Sequence, residues 1–229
     1  MNSPFSKMYN LCSYIDSNTK PDEWENFIQY MNIFQKGNME CSTGIADCAL
    51  LYGLVRYIKP INILEIGTFV GSTCYAMKLG CEKNQGKHLI TTIDRDQSNI
   101  KKSEMGDLSF LTILEGEAKQ ILEDQNCTYD FIFADANIDE KTASLLEPLM
   151  SRNVVFVTHD YNPQDKGIEA LENIATNTFL GESIKVEPDP EQCWITNPGG
   201  NHSRVNCNAG VNNGCALLVS QSSPISKLL

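Results

Sequence analysis

The stretch Ile61-Asn62-Ile63-Leu64-Glu65-Ile66-Gly67-Thr68-Phe69-Val70-Gly71-Ser72 reads as a buried parallel strand that ends in a glycine turn and opens a helix. Ile63, Leu64 and Ile66 suit a strand, while Gly67 and Gly71 let the backbone bend tightly and come close to a ligand. Such a turn places a ligand outside the carboxyl end of a sheet. Glu65 breaks the apolar run with a carboxylate, which suits a cationic or hydroxyl-bearing ligand better than a pyrophosphate. Phe69 stands where a dinucleotide-binding turn has the glycine that lets the backbone touch a pyrophosphate. Both features point away from a nicotinamide cofactor.

Outward from this turn, short apolar runs alternate with helical patterns. Strands are expected near 61–66, 88–93, 111–115, 129–134 and 153–158, with helices near 71–79, 97–103, 117–123, 139–149 and 165–178. This pattern predicts an α/β fold of the Rossmann-like kind, a mostly parallel sheet covered by helices on both faces. Two more strands, near 182–187 and 214–220, have no helix between them and are expected to close the seven-stranded sheet as an antiparallel hairpin. The Gly-, Asn- and Pro-rich stretch at 188–213 is long for a hairpin loop and reads as an insertion. Three helical pieces fill the front portion, 1–59. Pro21-Asp22-Glu23 opens one of them, and Thr43 is expected to cap the next. These helices read as packing elements or as a lid, and the 229 residues as one domain.

Polar residues gather at the expected strand ends. Asp94, followed by Arg95, ends the second strand, where a carboxylate can accept both hydroxyls of a ribose. Gly116 ends the third and allows close approach, so that the backbone of Glu117 and Ala118 can meet a base edge. Asp135 emerges where the apolar run Phe131-Ile132-Phe133-Ala134 surfaces, and His159-Asp160 do the same after Val154-Val155-Phe156-Val157. Adjacent parallel strands would bring Asp135, His159 and Asp160 into one crevice, where they could hold a divalent ion or where the imidazole could act as a base. Capping of the following helices by the two carboxylates is the structural alternative.

With these motifs in place, the chain resembles the class I S-adenosylmethionine-dependent methyltransferases, in particular the small-molecule O-methyltransferases that include catechol and macrolide-sugar enzymes. Glu65-Ile66-Gly67-Thr68-Phe69-Val70-Gly71 matches the first motif of that family, Asp94 its acidic ribose position, and Asp135-Ala136-Asn137 and His159-Asp160-Tyr161 two later motifs. The resemblance spans about 40–187 and the terminal strand. It implies S-adenosyl-L-methionine as cofactor and a hydroxyl of a small molecule as methyl acceptor. The methionine end would lie over Gly67 and Gly71, with Thr68, Phe69 and Ser72 in the same turn and Glu65 and Asp135 also among the cofactor-binding residues. The ribose would lie on Asp94 beside Arg95, and the adenine by Gly116, Glu117 and Ala118. In metal-dependent members, positions matching Asp135 and Asp160 hold an ion such as Mg2+ that orients substrate oxygens. At the position of His159 many of them have an oxygen ligand instead. Asp135, His159 and Asp160 are thus the catalytic and metal candidates. Pairing through the front helices as a homodimer fits the habit of the family.

Composition narrows the remaining choices. With 18 Lys and Arg against 29 Asp and Glu, the formal charge is -11, a field that repels nucleic-acid backbones and anionic lipid. The start of the chain has no secretion-signal pattern, and no segment approaches the roughly 18 continuous apolar residues of a membrane helix, so a cytoplasmic location is expected. The nine cysteines show no Cys-x-x-Cys pair and read as reduced thiols. Cys193, Cys207 and Cys215 with His202 are too irregularly spaced to read as a zinc site. Two competing functions are a non-catalytic binding protein on the same fold and a nucleotide-dependent oxidoreductase. Glu65 and Phe69 argue against the latter.

Overall fold

The structure is a computed structural model that describes residues 5–35, 43–100, 102–159, 183–186 and 215–229. Helices α1 (Phe5–Asn18), α2 (Pro21–Gln35) and α3 (Ile45–Ile58) precede the sheet, as their sequence patterns predict. Pro21 opens α2 with Asp22 and Glu23 in its first turn, where acids complement the helix dipole. At α3 the expectation of a Thr43 cap fails. Gly44 occupies the capping position without a side-chain bond, and Thr43 is buried instead.

Then follow β1 (Asn62–Ile66), α4 (Ser72–Glu82), β2 (Leu89–Asp94), β3 (Leu111–Glu115), α5 (Ala118–Glu123), β4 (Tyr129–Ala134), α6 (Glu140–Leu146), β5 (Met150–Thr158), β6 (Ser183–Val186) and β7 (Ala216–Ser220). The seven strands run in the order β3-β2-β1-β4-β5-β7-β6. The first five pair in parallel, and β7 pairs antiparallel with both β5 and β6. The expected sheet with its antiparallel C-terminal hairpin is therefore present. The last strand, however, lies inside the edge. Every residue of β7 is buried, whereas three of the four residues of β6 are partly open, and the less apolar strand takes the exposed position.

Alternate residues of the strands feed two cores. Ile63, Phe131, Phe133, Val155, Val157, Leu217 and Val219 face the layer built by α1 to α4. Leu64, Ile66, Ile132, Ala134, Phe156 and Leu218 face the side of Leu122, Ala143 and Leu146 on α5 and α6. This two-residue periodicity fixes the register, since a slip by one would turn each set toward the wrong layer.

The helix expected over 97–103 is instead two short 3-10 turns, Gln97–Asn99 and Lys102–Glu104. The segment is mostly polar, and its buried apolar residues, Ile100 and Met105, stand five positions apart, which gives no helical stripe to bury. The helix expected at 165–178 and the insertion at 188–213 lie outside the described residues. Among the described residues no helix is long and apolar enough to cross a membrane, and Cys48, Cys74, Cys81, Cys127 and Cys215 are free thiols.

Leu218 is fully buried on β7, between its two partner strands β5 and β6. Leu218→Ala is expected to destabilise the fold by about 2–5 kcal/mol, read as a lowered midpoint in urea unfolding.

Candidate active site

The parallel ladder continues one residue beyond each strand and aligns the functional tips. Gly67 N–H donates to Ile93 O at 2.9 Å, Asp135 N–H to Ile66 O at 2.8 Å, His159 N–H to Ala134 O at 3.0 Å, and Gly116 N–H to Asp94 O at 2.9 Å. Gly67, Asp94, Asp135 and His159 are thereby held at one level along the carboxyl edge of the sheet, with Gly116 one residue further on.

The turn after β1 requires its glycines. Gly67 has φ +93°, and a Cβ there would stand 2.7 Å from the backbone oxygen of Asp135. Gly71 has φ +87°, and a Cβ there would collide with the methyl of Met105. Between them Phe69 also takes a positive φ, 47°, with its side chain 39 % exposed. A conformation unusual for a bulky residue needs external support. Asp94 supplies it, for its Oδ2 accepts the N–H groups of Thr68 at 2.8 Å and Phe69 at 2.7 Å. The carboxylate expected at a ribose thus also clamps the turn.

Glu65 lies below the turn, completely buried. Thr73 Oγ1 donates to its Oε1 at 2.6 Å and Thr92 Oγ1 donates to its Oε2. The Thr68 and Thr92 hydroxyls bond each other, which links Glu65 to the turn itself. Burial pushes the Glu65 carboxyl up to about 7, with the charges of Asp135 and Asp94 acting in the same direction against the two threonine bonds. Ser72 is buried at the start of α4. Arg95 is exposed, while Glu117 occupies the capping position of α5 without a side-chain bond, and Ala118 is the first residue of that helix.

At the other side of the turn, His159 is nearly buried, 9 % exposed. Its Nδ1 lies 3.4 Å from Asp135 Oδ1, and its Nε2 lies 3.5 Å from Asp47 Oδ2. Asp135 and His159 therefore meet as their strand positions predict. Asp160, the third expected member, lies outside the described residues. Among the described residues no three His, Cys, Asp or Glu side chains are grouped to hold a metal ion. Each ring nitrogen of His159 is directed at a carboxylate, an arrangement suited to proton exchange. Asp47 is the participant that sequence reasoning missed. Its sole signal is an acid among the apolar positions Ile45, Cys48 and Leu51 of a helix, which reads equally well as a solvated first turn.

A family model described as O-methyltransferase matches residues 26–145. The chain belongs to this family. It is an S-adenosylmethionine-dependent methyltransferase, and the matched segment carries the β1 turn, Asp94 and Asp135. No relative is found among curated protein sequences. Among solved structures, the fold is similar to that of an S-adenosylhomocysteine-bound methyltransferase from Podospora anserina, with 18 % identity, TM-score 0.55, and 96 % of this chain and 97 % of that one covered. It is also similar to an O-methyltransferase from Streptomyces achromogenes involved in tomaymycin synthesis, solved with S-adenosylmethionine, with 19 % identity, TM-score 0.53 and coverage of 91 % and 94 %. The spermidine synthase of Thermotoga maritima shares the fold at 12 % identity and TM-score 0.52, with coverage of 79 % and 60 %. Likeness at this identity concerns architecture, and it is the family model that separates methyl transfer from other chemistry on the same sheet.

Two outcomes follow from the turn and its support. Gly67→Ala is expected to weaken S-adenosylmethionine binding at least about tenfold in titration calorimetry, because backbone strain of about 1–3 kcal/mol and the clash with Asp135 O both act on the turn. Glu65 holds its proton more tightly in the folded chain, about 7, than its usual 4.5. Its ionisation costs nothing below pH 4.5, costs progressively more as pH rises, and reaches its full penalty, at most ~3 kcal/mol, above pH 7. Thermal stability should therefore fall across that window, and Glu65→Gln should flatten the profile.

Proposed function

We propose that this methyltransferase acts on a hydroxyl oxygen of a small molecule and that His159 takes the hydroxyl proton. The observation that carries this reading is the imidazole held between Asp47 and Asp135 at the level of the β1 turn. When bound, S-adenosylmethionine supplies an electrophilic methyl group on a sulfonium. The cradle left by Gly67 and Gly71 would hold its methionine end, with Thr68, Phe69 and Ser72 around it. Asp94 would accept from a ribose hydroxyl through the acceptor site that its bonds to Thr68, Phe69 and Asp96 leave open, and Gly116, Glu117 and Ala118 would border the adenine.

The buried acid beneath the turn supports this assignment. Glu65 is too deep to touch a ligand, but through Thr92 and Thr68 it fixes the loop that would. On the acceptor side, His159 withdraws the proton as the oxygen attacks, and the carboxylates of Asp47 and Asp135 stabilise the imidazolium that forms. Neutralising the acceptor oxygen in this way needs no Lewis acid. Asp135, expected as a magnesium ligand, becomes in this reading an acidic neighbour of the base. The acidic surroundings and the formal charge of -11 disfavour a polyanionic acceptor such as nucleic acid.

The test is S-adenosylhomocysteine formation with a panel of catechols, phenols and sugar hydroxyls. His159→Ala is expected to lower kcat by about 10²–10⁴-fold while changing the Kd for S-adenosylmethionine less than about threefold. Equal losses in both would assign His159 a structural role. Turnover is expected to persist in EDTA; loss in EDTA that magnesium restores would replace the base by an ion at Asp135 and Asp160.

A further inference from the structure

Asp94 clamps the middle of the β1 turn, at Thr68 and Phe69, but not its far end. That end is Gly71, left-handed at φ +87°, which occupies the capping position of α4 without a side-chain bond. Its N–H donates to Thr68 O at 2.8 Å, and its carbonyl accepts from Tyr75 N–H at 2.9 Å, so this one residue joins the turn to the helix.

The space beside Gly71 is filled by Met105. A Cβ on the glycine would overlap the Met105 methyl and stand 3.7 Å from both the Met105 sulfur and Ile100 Cγ2, so the thioether is seated directly on the glycine. Met105 is almost fully buried there. It arrives on a polar stretch folded by its own short bonds. Asp94 Oδ1 accepts Asp96 N–H at 3.0 Å, Asp96 Oδ1 accepts Ser98 N–H at 2.8 Å, and Met105 N–H donates to Lys102 O at 3.2 Å.

Beyond Met105 the chain is fastened a second time, to α4 itself. Lys78 is buried, pairs with Glu82, and places its Nζ 5.6 Å from the ring centre of Phe110 and 5.5 Å from that of Tyr75. Ring faces attract a cation that has lost its water. The segment from Asp94 to Phe110 is thus a brace with one end on β2 and the other on α4, and Met105 presses on Gly71 between the two ends.

Resting on the reading of this turn as the cofactor cradle, we infer that Met105 is a positioning residue for the methionine end of S-adenosylmethionine: its thioether is the wall that holds Gly71, and with it the backbone of the turn, in place. The same brace begins at Asp94, the acid assigned to the ribose, so one segment keeps both halves of the cofactor in register. Met105 acts through Gly71 and touches no ligand. Removing its methyl leaves a void into which the turn can relax. Asp94 and Gly116 stay where they are, because the Gly116 N–H to Asp94 O bond at 2.9 Å continues the ladder between β2 and β3.

The experiment is titration calorimetry of the full chain with S-adenosylhomocysteine and, separately, with 5′-methylthioadenosine, which lacks the amino-acid end. Met105→Ala is expected to raise the Kd for S-adenosylhomocysteine at least about fivefold and that for 5′-methylthioadenosine less than about twofold. Met105→Leu, which keeps most of the volume, should bind both within about twofold of the wild type. Met105→Val is expected to show the same selective loss to a smaller degree, and it decides the question if the alanine variant does not fold. Leu218→Ala, as deeply buried but on β7, controls for general destabilisation and should leave the ratio of the two Kd values unchanged. An unchanged ratio in Met105→Ala and Met105→Val, or a ratio changed as much by Leu218→Ala, would overturn the inference and leave the cofactor site standing. No binding of S-adenosylhomocysteine by the wild-type chain would remove the cofactor site and this inference with it.

Discussion

The backbone oxygen of Asp135 stands where a side chain at Gly67 would have to be. That one steric constraint allows the tips of β1 and β4 to lie side by side, and the remaining features of the site are built around it. With the turn this close, Asp135 N–H bonds Ile66 O and His159 N–H bonds Ala134 O, so the polar residues surface at one height. A larger residue at Gly67 would push the turn away from β4 and separate it from Asp135 and His159.

The turn so placed is unfavourable by itself, with three left-handed residues among five positions, one of them Phe69. Its conformation is stabilised from both sides. Asp94 accepts two successive N–H groups from outside, and Glu65 anchors the threonines from beneath. Burying Glu65 costs stability as pH rises, because its carboxyl is pushed up to about 7. The fold tolerates this penalty where a hydrocarbon would leave Thr73 and Thr92 without their acceptor. Strain and a buried ionisable group at the same place are common signs of a functional site, and here they coincide with the segment that the family model covers.

Much of this was legible in the sequence because it is local. The β1 run, the two glycines, and the acids that follow apolar strands are each set within a dozen residues, and period-two burial did the rest. What was not legible depends on distant partners. Nothing near Asp47 announces that α3 will carry it to His159, 112 positions along the chain by the numbering. The place of β7 inside the sheet follows from its burial on both faces relative to β6, a comparison between two segments rather than a property of either. The polar 97–105 stretch mimics a helix by length, yet it serves to bring Ile100 and Met105 against Gly71. Thr43 has the right chemistry for a cap, but the tertiary contacts bury it and leave Gly44 to start α3.

The most direct test of the central claim, that the carboxyl edge centred on Gly67 is the cofactor site, is an amide nitrogen–proton NMR titration with S-adenosylhomocysteine. The account predicts saturable shifts confined to Gly67, Thr68, Phe69, Gly71, Asp94, Gly116, Ala118 and their immediate neighbours. Saturable shifts centred on the opposite edge of the sheet, or none at all, would contradict it.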